Sequence, residues 1–194
     1  MTSILKVDSI QNAAGSVSVP VMAGATIQTQ VHQEDGLTYW PVATAAGNDR
    51  LLLAEDANDG TSHLSVTITP TSATSKILLT TTVFFEGSST SIQNYLWTFY
   101  RDNTKLGQTN AGNRRGGIMT TSNNHVSANA DSTPDSTAYS YYDAPNTTSP
   151  ITYAVAFNFS SNSGNMFLNR TVADTSSTSF ERGVSIIIAQ EIAQ

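Results

Sequence analysis

The segment ITYAVAFNF, residues 151–159, decides the fold class. Ile151, Tyr153, Val155, Phe157 and Phe159 alternate with Thr152, Ala154, Ala156 and Asn158, and Pro150 and a Ser/Asn/Gly stretch at 160–164 bound the run. A repeat of two is the signature of a strand with one face turned to a core. Working outward, Leu64, Val66 and Ile68 alternate with Ser65, Thr67 and Thr69 until Pro70 stops the strand, and Ile77, Leu79, Thr81, Val83 and Phe85 resume the pattern after a polar turn. That pair is expected to form a hairpin. Tyr95 to Tyr100 is bulky on both faces, which suits a strand held between the core and a second surface. Val184, Ile186, Ile188, Gln190 and Ile192 form the last strand. About eight strands with turn signals between them predict an all-β protein, an antiparallel β-sandwich of jelly-roll type. Helical periodicity is weak and confined to 42–57.

Residues 1–24 are different. Short apolar pairs are broken by Gly15, Pro20 and Gly24, so this stretch reads as an extended arm and 25–194 as the sandwich domain. Leu5, Val7 and Ile10 are apolar residues too few to make a core of their own, and they are the expected docking contacts of the arm.

The composition narrows the function. Of 194 residues only 12% are charged against 39% apolar, whereas 51 are Ser or Thr, so solubility rests on hydroxyls and amides. A net charge of −6 with nine scattered cations argues against a nucleic-acid partner. The first ten residues lack the pattern of a signal peptide, and no apolar run approaches the 18 or so residues of a membrane span, so neither Sec export nor membrane insertion is expected. With no cysteine there is no disulfide, thiolate site or thiol catalysis, and stability in an oxidising exterior is independent of redox state.

No motif specifies catalysis. His32, His63 and His125 lie in unlike contexts, no Gly-x-Ser-x-Gly elbow accompanies them, and Asp131 and Asp135 sit in a polar loop instead of a rigid acidic pair. Residues 55–60 (EDANDG) fail the ligand spacing of an EF-hand and read as a turn. No cofactor and no metal is expected. Arg114 and Arg115, flanked by Gly112, Gly116 and Gly117, are candidates for an inter-chain or loop-anchoring ion pair. Tyr95, Trp97 and Phe99 are candidates for core plus subunit interface, and Tyr139, Tyr141 and Tyr142, beside a long loop at 110–138, are candidates for stacking on sugar faces, with packing against the domain the favoured reading. A second polar connection spans 174–179; the first exceeds the length ordinary for a compact domain, and long loops are usually functional or disordered.

Several phrases together resemble one family. LKVDSIQN at 5–12, SVTITPTSATSKIL at 65–78, FYRDNTKL at 99–106, SYYDAPNTTSPIT at 140–152 and NRTVADTSSTSFERGVSIIIAQEI at 169–192 are similar to the small tail-fibre and virion structural proteins of phages of marine bacteria and cyanobacteria. The resemblance implies a virion protein without catalytic activity, assembled as a homotrimer. The expected function is a tail fibre or particle appendage that is made in the host cytoplasm, docks on other virion proteins by its arm and contacts host surface glycans. The alternative is a capsid decoration protein clamping capsid subunits. A polysaccharide depolymerase is the less favoured enzyme reading.

Overall fold

The computed structural model describes residues 22–41, 48–88, 94–122, 132–159 and 164–194. The strands are β1 (Thr26–Glu34), β2 (Tyr39–Pro41), β3 (Asp49–Leu51), β4 (Ser65–Ile68), β5 (Lys76–Gly87), β6 (Asn94–Arg101), β7 (Thr104–Lys105), β8 (Met119–Ser122), β9 (Asp135–Asp143), β10 (Ile151–Phe159), β11 (Asn165–Leu168) and β12 (Ser185–Ile192). All of these strands pair antiparallel.

The registers reduce these strands to eight rows. β12 and β11 lie end to end along one side of β5 while β9 takes the other side, and β1 and β2 lie end to end outside β12 and β11. In the second sheet β4 and β3 share one side of β10, β6 takes the other, and β7 and β8 share the outer side of β6. One sheet therefore reads β1/β2, β12/β11, β5, β9 and the other β4/β3, β10, β6, β7/β8. Apart from the β6–β7 hairpin, every step between successive rows crosses from one sheet to the other, which is a jelly roll. The hairpin turns at Asp102, whose φ of 48° an Asp tolerates in the left-handed region.

The core lies where the alternation placed it. Ile77, Leu79, Val83 and Phe85 of β5 face Tyr95, Trp97 and Phe99 of β6 and Tyr153, Val155 and Phe157 of β10, all at most 1% exposed. Phe85 meets Trp97 edge to face, with ring centroids 4.7 Å apart, so the two sheets touch through their largest side chains. Each such side chain contributes roughly 1.5–3 kcal/mol by leaving water.

Three expectations need correction. The segments at 64–69 and 77–85 do not pair with each other: β4 joins β10 and β5 joins β12 and β9, so the turn between them is an arch from sheet to sheet. Its Thr71 backbone N–H is fixed at 2.8 Å by Glu191 of β12. The polar connection at 110–138 is broken by β8 and by the start of β9, which begins at Asp135. Of the weakly helical stretch, 42–47 lies outside the described residues, and Ala54–Asp56 is a single 3₁₀ turn. Leu5, Val7, Ile10, His125 and Asp131 also lie outside the described residues.

Candidate functional site

A run of hydroxyls interrupts the row formed by β11 and β12. Between them the chain leaves the sheet as a loop, 169–184, whose base is a short antiparallel neck: Gly183 N–H donates to Asn169 O at 2.9 Å, Thr171 N–H to Glu181 O at 3.2 Å, and Arg170 bridges Arg182. Asn169 starts the neck with a φ of 61° and is fully buried. Its Nδ2 donates to Glu34 O at 2.8 Å and to Gly36 O at 3.1 Å, and its Oδ1 accepts from Ser185 Oγ at 2.7 Å. One side chain thus holds the breaks in both rows. Glu86, 1% exposed on β5, fixes the other side by accepting the N–H groups of Val172 and Thr133, each at 2.6 Å.

Beyond the neck the tip encloses an open hollow of about 530 Å³, lined by residues 174–178 with Phe180 and Arg182. Arg182 grips the Asp174 carboxylate with two hydrogen bonds, 2.9 Å from Nε and 2.8 Å from Nη2. Arg170 approaches the same carboxylate at 3.4 Å while its guanidinium stacks 4.6 Å from the centroid of Phe167. Thr175, Ser176, Ser177 and Thr178 are exposed and Phe180 is half-buried. Hydroxyls, one aromatic face and a fixed Arg–Asp pair suit a neutral polyhydroxylated ligand.

The residues singled out from sequence are distributed otherwise. Tyr95, Trp97 and Phe99 are 0% exposed and belong to the protomer's core, as the core half of their reading expected, and these three side chains have no exposed surface to offer a neighbouring subunit. The second surface that made this strand bulky on both faces is the chain's own segment 106–118, which covers Leu96 and Thr98: Thr98 Oγ1 donates to Leu106 O at 2.6 Å, and Gly117 lies against the Leu96 side chain. Arg114 is exposed at the turn of this segment. Arg115 anchors it through neutral acceptors, Asn158 Oδ1 at 2.9 Å and Asn94 O at 3.4 Å, in place of the expected ion pair. Tyr139 is buried and donates to Thr98 O at 2.9 Å, so it is a core residue and not a sugar contact. Tyr141 packs against the core, and of the three only Tyr142, 51% exposed, offers a free face.

The structure brings His32 and His63 together, which their sequence contexts hid. Their rings stack with centroids 4.0 Å apart, tying β1 to the entry of β4. Ser65 Oγ lies 2.9 Å from His63 Nδ1, but the Glu34 carboxylate takes the backbone N–H of His63 at 2.9 Å and not its ring, so serine, imidazole and carboxylate do not form a relay. Burial first, then the neighbouring His32, hold His63 below its ordinary pKa. Asp59 accepts the N–H groups of Thr61 and Ser62 at 3.0 and 2.9 Å, the side-chain-capped turn expected of residues 55–60. The hollow itself was signalled in sequence only by the hydroxyl run 175–179 between Asp174 and Arg182.

No family model matches the chain, and no curated protein matches it. Among solved structures it is similar to a chain from infectious bursal disease virus, Gx strain, with a TM-score of 0.39 and 12% identity over 97% of this chain. This chain spans 43% of the length of that one.

Proposed function

We propose that the chain is a non-enzymatic structural protein of a phage virion, a tail fibre or particle appendage that docks by its N-terminal arm and presents the 169–184 hollow to host surface glycans. The observation that carries this reading is the opposed placement of the two features. The chain enters the sandwich beside the last residues of β12, where Gly24 N–H donates to Ala193 O at 2.9 Å, and the hollow leaves from the first, at Ser185. Seven steps of about 3.4 Å put these points roughly 24 Å apart along the strand. A molecule held by its arm would therefore carry the hollow on the far side. The resemblance of the sequence phrases, a cysteine-free chain and a hydroxyl-rich surface support the same reading, as does the jelly roll. A homotrimer is part of the proposal, with other virion proteins as docking partners.

Gold-labelled antibody against the sandwich should mark intact particles at the tail or its appendages. Label over the capsid shell would instead favour the decoration role, and protein absent from purified particles would contradict both. Host polysaccharide should bind the wild type, and Phe180→Ala should weaken that binding roughly tenfold, about 1.4 kcal/mol.

A further inference from the structure

On the outer face of the second sheet, under the segment 106–118, one carboxylate gathers an amine and an amide. Asp49 of β3 stands directly opposite Asn158 of β10 in the ladder. Asn158 Nδ2 donates to Asp49 Oδ1 at 3.0 Å, and Lys105 Nζ of β7 donates to Asp49 Oδ2 at 2.8 Å. Tyr100 OH donates to the same Oδ2 at 2.7 Å. On the other side of the amide, Arg115 Nη1 donates to Asn158 Oδ1 at 2.9 Å. Asn158 is 1% exposed, and the side chains of Asp49 and Lys105 are 6% and 22% exposed. None of these residues lines the hollow.

We infer that Lys105 and Asn158 are the partners of a self-catalysed isopeptide bond, with Asp49 as the proton carrier. Asp49 touches both of the groups that the reaction joins, and Arg115 touches the carbonyl oxygen of one of them. Across the 2.8 Å contact Asp49 takes a proton from the Lys105 ammonium and leaves a neutral amine. The Nζ lone pair attacks Cγ of Asn158, and the charge that develops on Oδ1 falls on the Arg115 guanidinium, already hydrogen-bonded there. Asp49 delivers its proton to Nδ2 and takes one from the attacking nitrogen. The Cγ–Nδ2 bond then breaks, the Cγ–Nζ amide remains, and ammonia leaves with the proton held by Asp49, as ammonium. No electron donor or acceptor is needed, and Asp49 ends as the carboxylate it began. Attack is favoured because the two reacting groups are held by one carboxylate instead of meeting from solution.

The bond would tie an edge strand, β7, to a central one, β10, across β6. In a chain without cysteine it would do what a disulfide does in other exterior proteins: limit the unfolded chain and hold an edge closed.

Intact-mass measurement of the folded full-length protein, after incubation at neutral pH, should give a mass lighter than the sequence by one ammonia. Trypsin should leave Lys105 uncut and release a single species joining its peptide to that of Asn158. Lys105→Arg keeps the cation beside Asp49, so it should fold, show the full mass and unfold at a lower temperature than the wild type. Asp49→Asn should also show the full mass. A wild-type mass equal to the sequence mass would overturn the proposal, and so would loss of ammonia without the joined peptide, which would mean cyclisation of an asparagine on its own backbone.

Discussion

Tyr95 is the residue at which burial and bonding disagree. Its ring fills the core against Phe85 and Phe159, yet its hydroxyl is buried without a hydrogen-bond partner among the described residues, and burial, followed by the charge of Glu86, pushes its pKa far up. Tyr95→Phe removes an unpaired polar group without changing the packing, so it should raise stability by about 1 kcal/mol in chemical denaturation. Glu86 is the opposite case, a buried carboxylate whose oxygens both receive donors. Glu86→Gln turns an amide N–H₂ toward N–H groups that need an acceptor, and it should cost roughly 2–4 kcal/mol and speed hydrogen exchange at Thr133 and Val172. The core aromatics could be read from sequence because alternation reports which face is buried. Tyr139 shows the limit: Ser136, Thr137 and Ser140 surround it with hydroxyls in the chain, and only the pairing of β9 with β5 turns its ring inward.

At the scale of elements, period two identified the strands around Leu64–Ile68, Ile77–Phe85 and Ile151–Phe159, because one buried face is a local property. Partner choice is not local. The arch between β4 and β5 has the polar turn of a hairpin, and what sends β5 to the other sheet is pairing with β12 and β9, which lie far along the chain. The splitting of rows into end-to-end strands was likewise hidden, because it rests on side chains such as Asn169 that act across the breaks. Asn169→Ala removes three buried hydrogen bonds and leaves a non-glycine residue at positive φ. It should cost about 2–4 kcal/mol and open the 169–184 loop to protease before the sandwich unfolds. The stacked histidines join β1 to β4, and His63 makes that join pH-dependent. Since His63 has a folded pKa below the ordinary 6.5, its contribution is complete above that pH and declines as pH falls toward the folded value. The melting temperature should therefore drop on acidification from pH about 7 to about 5, and His63→Asn, which keeps an acceptor for Ser65, should flatten that drop.

The whole molecule is a jelly roll closed around one aromatic core, with Gly24 bonded beside one end of β12 and a hydroxyl-lined hollow leaving from the other. Because the described sandwich contains the aromatic core and both sheets, deletion of residues 1–21 should leave a cooperative thermal transition. Sedimentation equilibrium should give a trimer for the full chain, and a monomer at micromolar concentration would contradict that part of the proposal. The proposed role stands or falls on attachment to the virion through residues 1–24. Its most direct measurement is the amount of protein in purified particles produced with Leu5→Asp and Val7→Asp together, with circular dichroism of the isolated double variant as the folding control. The account predicts a sandwich that stays folded and is missing from the particles; incorporation at the wild-type level would contradict it.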